Sequence, residues 1–447
     1  MQQDMQAYAE QLKTDADRSG KSILVADNAA RSVIAWYTTE GELRRSPGSA
    51  IKPFIYAAAM EEGSLVPCTP LLDERTDFGN YRPSNYNDNY RGWIPAREAL
   101  SESRNLPAVK VLNELTPSRG CAYLRRFGLP VKEEDETLSL ALGGLRDGFT
   151  ARELAGAYAA LCEEGKYAPL AFIRKVESKD GEILYERDII PTRSVSENTA
   201  ALTIDMMRTA AKTGTAKKLS VLPFDIAAKT GTNGTEAGNS DAWTVACTTQ
   251  HTVAVWMGNA DNSLTDITGG GLPCHYAMLL SKKLYEKHPP LPFMLPATVR
   301  MCDIDLASYE SEHIVRNAAP NQPKNTVFQE MFREEFLPQE VSPIYAVPHD
   351  EAVLSVNNSS VNIELCHTEY YDYEIKRETS GKIELIFDGH LTERYTDRTV
   401  KKNLKYRYRI RPYYTGENGE RVWGEELVTP SILAGSGGKI PDEWWKQ

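Results

Sequence analysis

Ser49 and Lys52 stand three residues apart in "RRSPGSAIKPFIYAAAMEEG", directly after a Pro47-Gly48 turn. If a helix starts at that turn, residues i and i+3 share a face, which sets a hydroxyl one turn from an amine. Pro53 is tolerated there because a first-turn N–H has no helical partner. A serine beside an uncharged amine is a nucleophile for acyl transfer. The competing role for Ser49 is a helix cap, but a capping box asks for Glu or Gln three residues on, where this chain has Lys52. An exposed lysine titrates at about 10.4, so Lys52 needs burial and a second cation nearby before it can accept a proton. The apolar run "IKPFIYAAAM" supplies the burial. Spacing alone is a weak signal, since "SGGK", Ser436 to Lys439, repeats it in a glycine-rich tail that cannot hold a helix.

The second cation has two candidates. "AAKTGT" occurs at Lys229 and, almost identically, at Lys212. Lys212 follows the helical stretch "TALTIDMMRT" and precedes polar "AKKLS", so Gly214 reads as a helix-terminating glycine. Lys229 follows "PFDIA" in a strand pattern, and Gly231 beside it is expected to let a substrate backbone approach closely. Lys229 is therefore the functional candidate. A third element must carry a polar relay and an amide. S-x-N occurs at Ser103/Asn105, Ser196/Asn198, Ser355/Asn357 and Ser360/Asn362. The last two fall beyond the other motifs, and "SEN" precedes a helix and reads as its N-cap. "SRN", with Ser103 and Asn105, sits at a turn between two helical patterns, a rigid mount for a site.

These residues need a scaffold. "SILVADNAARSVIAWYT" reads as strand, turn and strand; helical segments such as "TARELAGAYAALCEEG" follow; strands return as "FDIAAKTGT", "DAWTVACTT" and "HTVAVWMG". Helices inserted between strands of one antiparallel sheet make residues 1–290 an α+β domain. Residues 291–345, rich in Pro and Asn, read as an extended linker with one short helix, "TVFQEMFREEF". In "LKYRYRIR", Leu404, Tyr406, Tyr408 and Ile410 alternate with Lys405, Arg407, Arg409 and Arg411, and similar strands extend over 346–435. That segment is expected to be an all-β sandwich, and 436–447 a flexible tail.

Bulk properties agree with a globular chain of more than one domain: 447 residues, 41% hydrophobic and 25% charged. The formal net charge of -11, with signs interleaved and no basic run, excludes a nucleic-acid footprint. Seven scattered cysteines without C-x-x-C spacing exclude a zinc framework, although a pair such as Cys274 and Cys302 can bond. No metal or cofactor is expected. No apolar run is long enough to span a membrane and no signal peptide is visible, so the chain reads as a soluble fragment.

Together the three motifs are specific. S-x-x-K, S-x-N and K-T-G in this order resemble the transpeptidase part of a bifunctional, class A penicillin-binding protein, nearest the one-C type, over residues 20–290. The runs "RSPGSAIKPFIYAAAMEEG", "LLDERTDFGNYRPSNYNDNYRGWIPAREALSESRNLPAVKVL", "LALGGLRDGFTARELAGAYAALCEEG" and "SDAWTVACTTQHTVAVWMGN" extend the likeness. The resemblance implies the antiparallel sheet flanked by helices of penicillin-binding proteins and serine β-lactamases, and a D,D-transpeptidase. Ser49 would attack a D-alanyl-D-alanine stem peptide with Lys52 as base. Ser103 would relay a proton and Asn105 would bind the substrate amide. Lys229, Thr230 and Thr232 would bind the terminal carboxylate, with Gly231 also among the substrate-binding residues, and the backbone N–H groups of Ser49 and Thr232 would form the oxyanion hole. β-Lactams would acylate Ser49 by the same route.

Arg104, where the β-lactamase form has Asp, and the lack of an identifiable deacylating glutamate favour a transpeptidase over a β-lactamase. A D,D-carboxypeptidase and a non-catalytic wall-binding scaffold are the alternatives, and five intact motif residues favour an enzyme. The implied partners are peptidoglycan stem peptides and β-lactams. The implied place is the outer face of a bacterial cell membrane, to which the parent protein would be anchored. The C-terminal sandwich more loosely resembles a fibronectin type III module, a spacer or a surface for wall or division partners. The Tyr/Asn-rich "NYRPSNYNDNYRGW" is expected to pack beside the site rather than to stack sugars.

Overall fold

Five strands make one antiparallel sheet in the order Ser32–Thr38, Gly20–Asp27, His251–Gly258, Gly238–Cys247, Ala227–Thr235. Side chains alternate between its faces, so Ile23 and Val25 join one core with Val253, Val255 and Met257, while Leu24 and Ala26 join another with Trp243, Val245 and Trp256. The helices Lys52–Glu61, Asn105–Leu115, Ala151–Cys162 and Glu197–Lys212 contribute to the second core. Gln2–Gln11 and Leu272–Leu284 contribute to the first. Covered on both sides, the strand His251–Gly258 is buried at every position, which is why its stretch 253–257 reads as a continuous apolar run. Coordinates come from a computed structural model that describes residues 2–12, 19–320, 322–346, 352–357, 359–365, 370–416 and 418–435.

Lys52–Glu61 is the central helix, buried from Lys52 through Met60. Its Phe54 ring lies 4.9 Å from Phe127 and 5.1 Å from Tyr158, a contact whose loss on truncation to alanine costs about 3–5 kcal/mol. Ala151–Cys162 opens with a capping box in which Thr150 and Glu153 each satisfy the other's backbone N–H. Ser196 caps Glu197–Lys212 through Thr199 N, as "SEN" suggested.

The chain divides into two compact units, Met1–Arg300 with Met331–Leu337, and Met301–Glu330 with Pro338–Gln447. The expected linker is more structured than its composition suggested. Val299–Asp305 pairs with Val327–Arg333 as a two-stranded ribbon, with a short helix Leu306–Glu312 between them. "TVFQEMFREEF" is thus mostly strand rather than helix, because its partner lies more than twenty residues upstream, beyond reach of local periodicity. In the second unit, Ala352–Val356, Val361–Leu365 and Arg394–Asp397 form one sheet. Lys382–His390, Asp372–Thr379, Lys405–Thr415 and Arg421–Trp423 run in that order through another. One core takes Leu354 and Ile363 from the first sheet and Tyr373, Tyr406, Tyr408 and Ile410 from the second, while Leu404 lies outside the strand and is exposed. Cys274 and Cys302 are both free thiols. Cys366 and the tail with Ser436 and Lys439 lie outside the described residues.

Candidate active site

The nucleophile turn is a 3-10 turn, Gly48–Ile51, that passes directly into the helix Lys52–Glu61. Ser49 sits in this turn and Lys52, three residues on, is the first residue of the helix. The Lys52 N–H donates to the Ser49 carbonyl. Neighbouring elements pin the turn. Trp243 Nε1 donates to Ser46 O at 2.8 Å, Ser46 Oγ to Gly143 O at 2.8 Å, and Tyr158 OH to Ala50 O at 2.7 Å. Arg45 Nε meets the buried Asp241 carboxylate at 2.6 Å.

Glycine is required on both sides of this contact. Gly48 has φ +50°, and a Cβ on it would lie 2.6 Å from Thr232 O. A Cβ on Gly231 would lie 2.1 Å from Pro47 O. In the direction of a side chain, the space beside Gly231 is therefore taken by the nucleophile turn. The same close packing sets the Ser49 turn against Thr232.

Lys52 is fully buried, and its amine donates to Ser103 O at 2.7 Å, Arg104 O at 2.8 Å and Asn105 Oδ1 at 2.8 Å. Lys229, also fully buried, donates to Ser103 Oγ at 2.8 Å and to its neighbour's carbonyl, Thr230 O, at 2.9 Å. The three motifs thus converge on the S-x-N turn, where Ser103 sits between the helices Ala96–Ser101 and Asn105–Leu115 with φ +62°. A serine in the left-handed region is strained and persists only where its surroundings over-determine it. Asn105 Nδ2 donates to Ser84 O at 2.8 Å. Thr230 Oγ1 donates to Thr215 Oγ1 at 2.6 Å, and the exposed Thr232 accepts Gly269 N–H through Oγ1 at 3.0 Å.

Burial, then the Lys229 and Arg104 charges, hold Lys52 well below the ordinary lysine value, against an opposing pull from Asp73. Burial alone brings Lys229 down to about 7. A buried lysine shares its site with a second cation, as the sequence required. The three acceptors on Lys52 favour its ammonium, so proton uptake from Ser49 needs the amine to release one of them and turn its lone pair to the hydroxyl.

Three contributors escaped sequence reasoning. Asp73, buried at the end of Pro70–Asp73, binds the Arg104 guanidinium. Asn85, from the Tyr/Asn-rich loop, accepts Asn105 N–H at 2.8 Å, so that loop does pack beside the site. Thr215 belongs to the first K-T-G copy, whose only sequence signal was the duplication itself. Among the described residues no group of His, Cys, Asp and Glu gathers as a metal site.

A serine three residues before a buried lysine, with a second buried lysine bonded to the same S-x-N turn, is the arrangement of a serine acyl-transfer domain. The family model for the penicillin-binding protein transpeptidase domain matches residues 21–271, and the chain belongs to that family. Penicillin-binding protein 1F of Bacillus subtilis is 34% identical over 257 residues, 55% of this chain and 36% of that protein. Penicillin-binding protein 1C of Escherichia coli is 34% identical over 222 residues, 49% of this chain and 27% of that protein. The relatives are class A proteins of several types, and the one-C type is not set apart from 1F. The match spans about a third of the length of these relatives. In fold, the chain is similar to penicillin-binding protein 1A of Haemophilus influenzae, with TM-score 0.61 at 21% identity over 72% of this chain and 54% of that one. It is also similar to the PonA1 protein of Mycobacterium tuberculosis in complex with penicillin V, with TM-score 0.58 at 21% identity over 66% and 84%.

Proposed function

We propose that this chain cross-links peptidoglycan through a seryl acyl-enzyme, and that the observation carrying this reading is the convergence of Lys52 and Lys229 on Ser103. Ser49 Oγ attacks the penultimate D-alanine carbonyl while its proton passes to Lys52 Nζ. The backbone N–H groups of Ser49 and Thr232 hold the oxyanion, a role supported by the contact between Gly48 and Thr232. The carbon–nitrogen bond to the terminal D-alanine then breaks, and Ser103, held by Lys229, carries a proton to the departing amine. Asn105 binds the donor amide, and Lys229, Thr230 and Thr232 bind the terminal carboxylate. The amine of a second stem peptide attacks the ester, forming the cross-link and freeing Ser49. Gly231 serves by admitting the nucleophile turn. A β-lactam enters the first half of this cycle and stays on Ser49.

The substrate lies outside the cytoplasmic membrane, so we place these domains there, on a membrane-anchored parent. Among the described residues no helix is long and apolar enough to cross a membrane. Residues 346–435 are read as a fibronectin type III-like spacer, supported by two antiparallel sheets of three and four principal strands around one core.

The test is turnover of a pentapeptide donor ending in D-Ala-D-Ala with and without an excess of acceptor amine. Release of D-alanine with a cross-linked product supports transpeptidation. Release with hydrolysed tetrapeptide alone would instead make the chain a carboxypeptidase, and no release would contradict both.

A further inference from the structure

The middle residue of the S-x-N turn, Arg104, has no part in the chemistry above, yet it is among the best-held side chains at the site. Its Nε lies 2.7 Å and its terminal nitrogen 2.6 Å from Asp73 Oδ2. Asp73 is fully buried, and it accepts two further hydrogen bonds: from Arg91 N–H at 3.0 Å on Oδ2 and from Asn85 Nδ2 at 2.6 Å on Oδ1. Asn85 in turn accepts the N–H groups of Asn105 at 2.8 Å and Leu106 at 3.2 Å, capping the helix Asn105–Leu115 from outside, since Arg104 at the N-cap supplies no side-chain bond of its own. One carboxylate therefore grips both ends of the strained Ser103–Asn105 turn, the Arg104 side chain on one arm and the Asn105 backbone on the other. The carbonyls of Ser103 and Arg104 that this turn presents are two of the three acceptors on Lys52.

We propose that Asp73 is a positioning residue for acyl transfer: it locks the S-x-N turn onto Lys52 through Arg104 and Asn85, and its charge offsets that of Arg104 beside the amine. This rests on the reading of Lys52 as the base. The charged groups that bear on Lys52 are Lys229 from the edge strand, Arg104 from the turn and Asp73 from Pro70–Asp73. On its own helix, Tyr56 lies one turn on, buried and protonated throughout the working range. Acylation needs neutral Lys52, so its rate rises with pH along an acid limb. Loss of the Asp73 charge leaves two cations unopposed and moves that limb down. Loss of the Arg104 charge leaves Lys229 alone against Asp73 and moves it up.

The experiment measures benzylpenicillin acylation rates across pH for the wild-type chain, Asp73→Asn, Arg104→Gln and Arg104→Lys, with thermal melts alongside. The expected result is limb shifts of about one pH unit, downward for D73N and upward for R104Q. R104K should keep the wild-type limb but lose plateau rate, because an ammonium cannot reproduce the forked contact. A merely structural role lowers plateaus without moving limbs in opposite directions. Limbs that stay put, or move the same way, would overturn the inference while leaving the acyl-transfer reading intact. If D73N does not fold, R104Q against R104K decides: equal limbs overturn it. Absence of any wild-type adduct would overturn the acyl-transfer reading and this inference with it.

Discussion

Buried Lys229 loses its charge in the free enzyme as pH rises through about 7. A donor carboxylate is ionised throughout that range and favours charged Lys229, so its binding weakens above pH 7, by up to about tenfold per unit. The KM for a D-Ala-D-Ala donor should therefore climb between pH 7 and 9, and Lys229→Gln should flatten that climb. A wild-type KM constant over the interval would remove Lys229 from carboxylate binding. Ser49, Lys52, Ser103, Asn105 and Lys229 were legible because each announces itself by type and by spacing within a few residues. Asp73 and Asn85 were not, because what they hold is Arg104 and the Asn105 backbone, tens of residues away, and nothing local marks a carboxylate as buried. Gly231 was legible as a site of close approach, but its packing against the nucleophile turn was not.

Paired strands and long helices of the first unit follow from hydrophobic period and from caps such as Thr150 and Ser196. The ribbon Val299–Asp305 with Val327–Arg333 does not, since a seven-residue apolar-polar mixture with two phenylalanines fits either period until a partner strand is known. The contact between elements that matters most is the nucleophile turn against the edge strand. Gly48→Ala places a methyl 2.6 Å from Thr232 O and asks alanine to hold φ +50°. That change should cost about 1–3 kcal/mol and reduce acylation more than it reduces stability, because relief of the clash moves Ser49 away from Thr232. Chemical denaturation and acylation rate, measured together, test this; a variant as fast as wild type would show the turn is free to adjust.

At the scale of the molecule, two compact units have cores of their own. Calorimetry should resolve two transitions, and acylation by benzylpenicillin should raise only the one belonging to the transpeptidase unit, since a ligand stabilises the cooperative unit that binds it. A single transition that shifts as a whole would show the units unfold together. The central claim is that Ser49 is the nucleophile of an acyl-transfer enzyme. Intact mass after incubation with benzylpenicillin tests it most directly, for the wild-type chain beside Ser49→Ala. One stoichiometric adduct on the wild-type chain, absent from a folded Ser49→Ala, is the predicted result; an adduct that persists in the variant, or none on the folded wild-type chain, would contradict it.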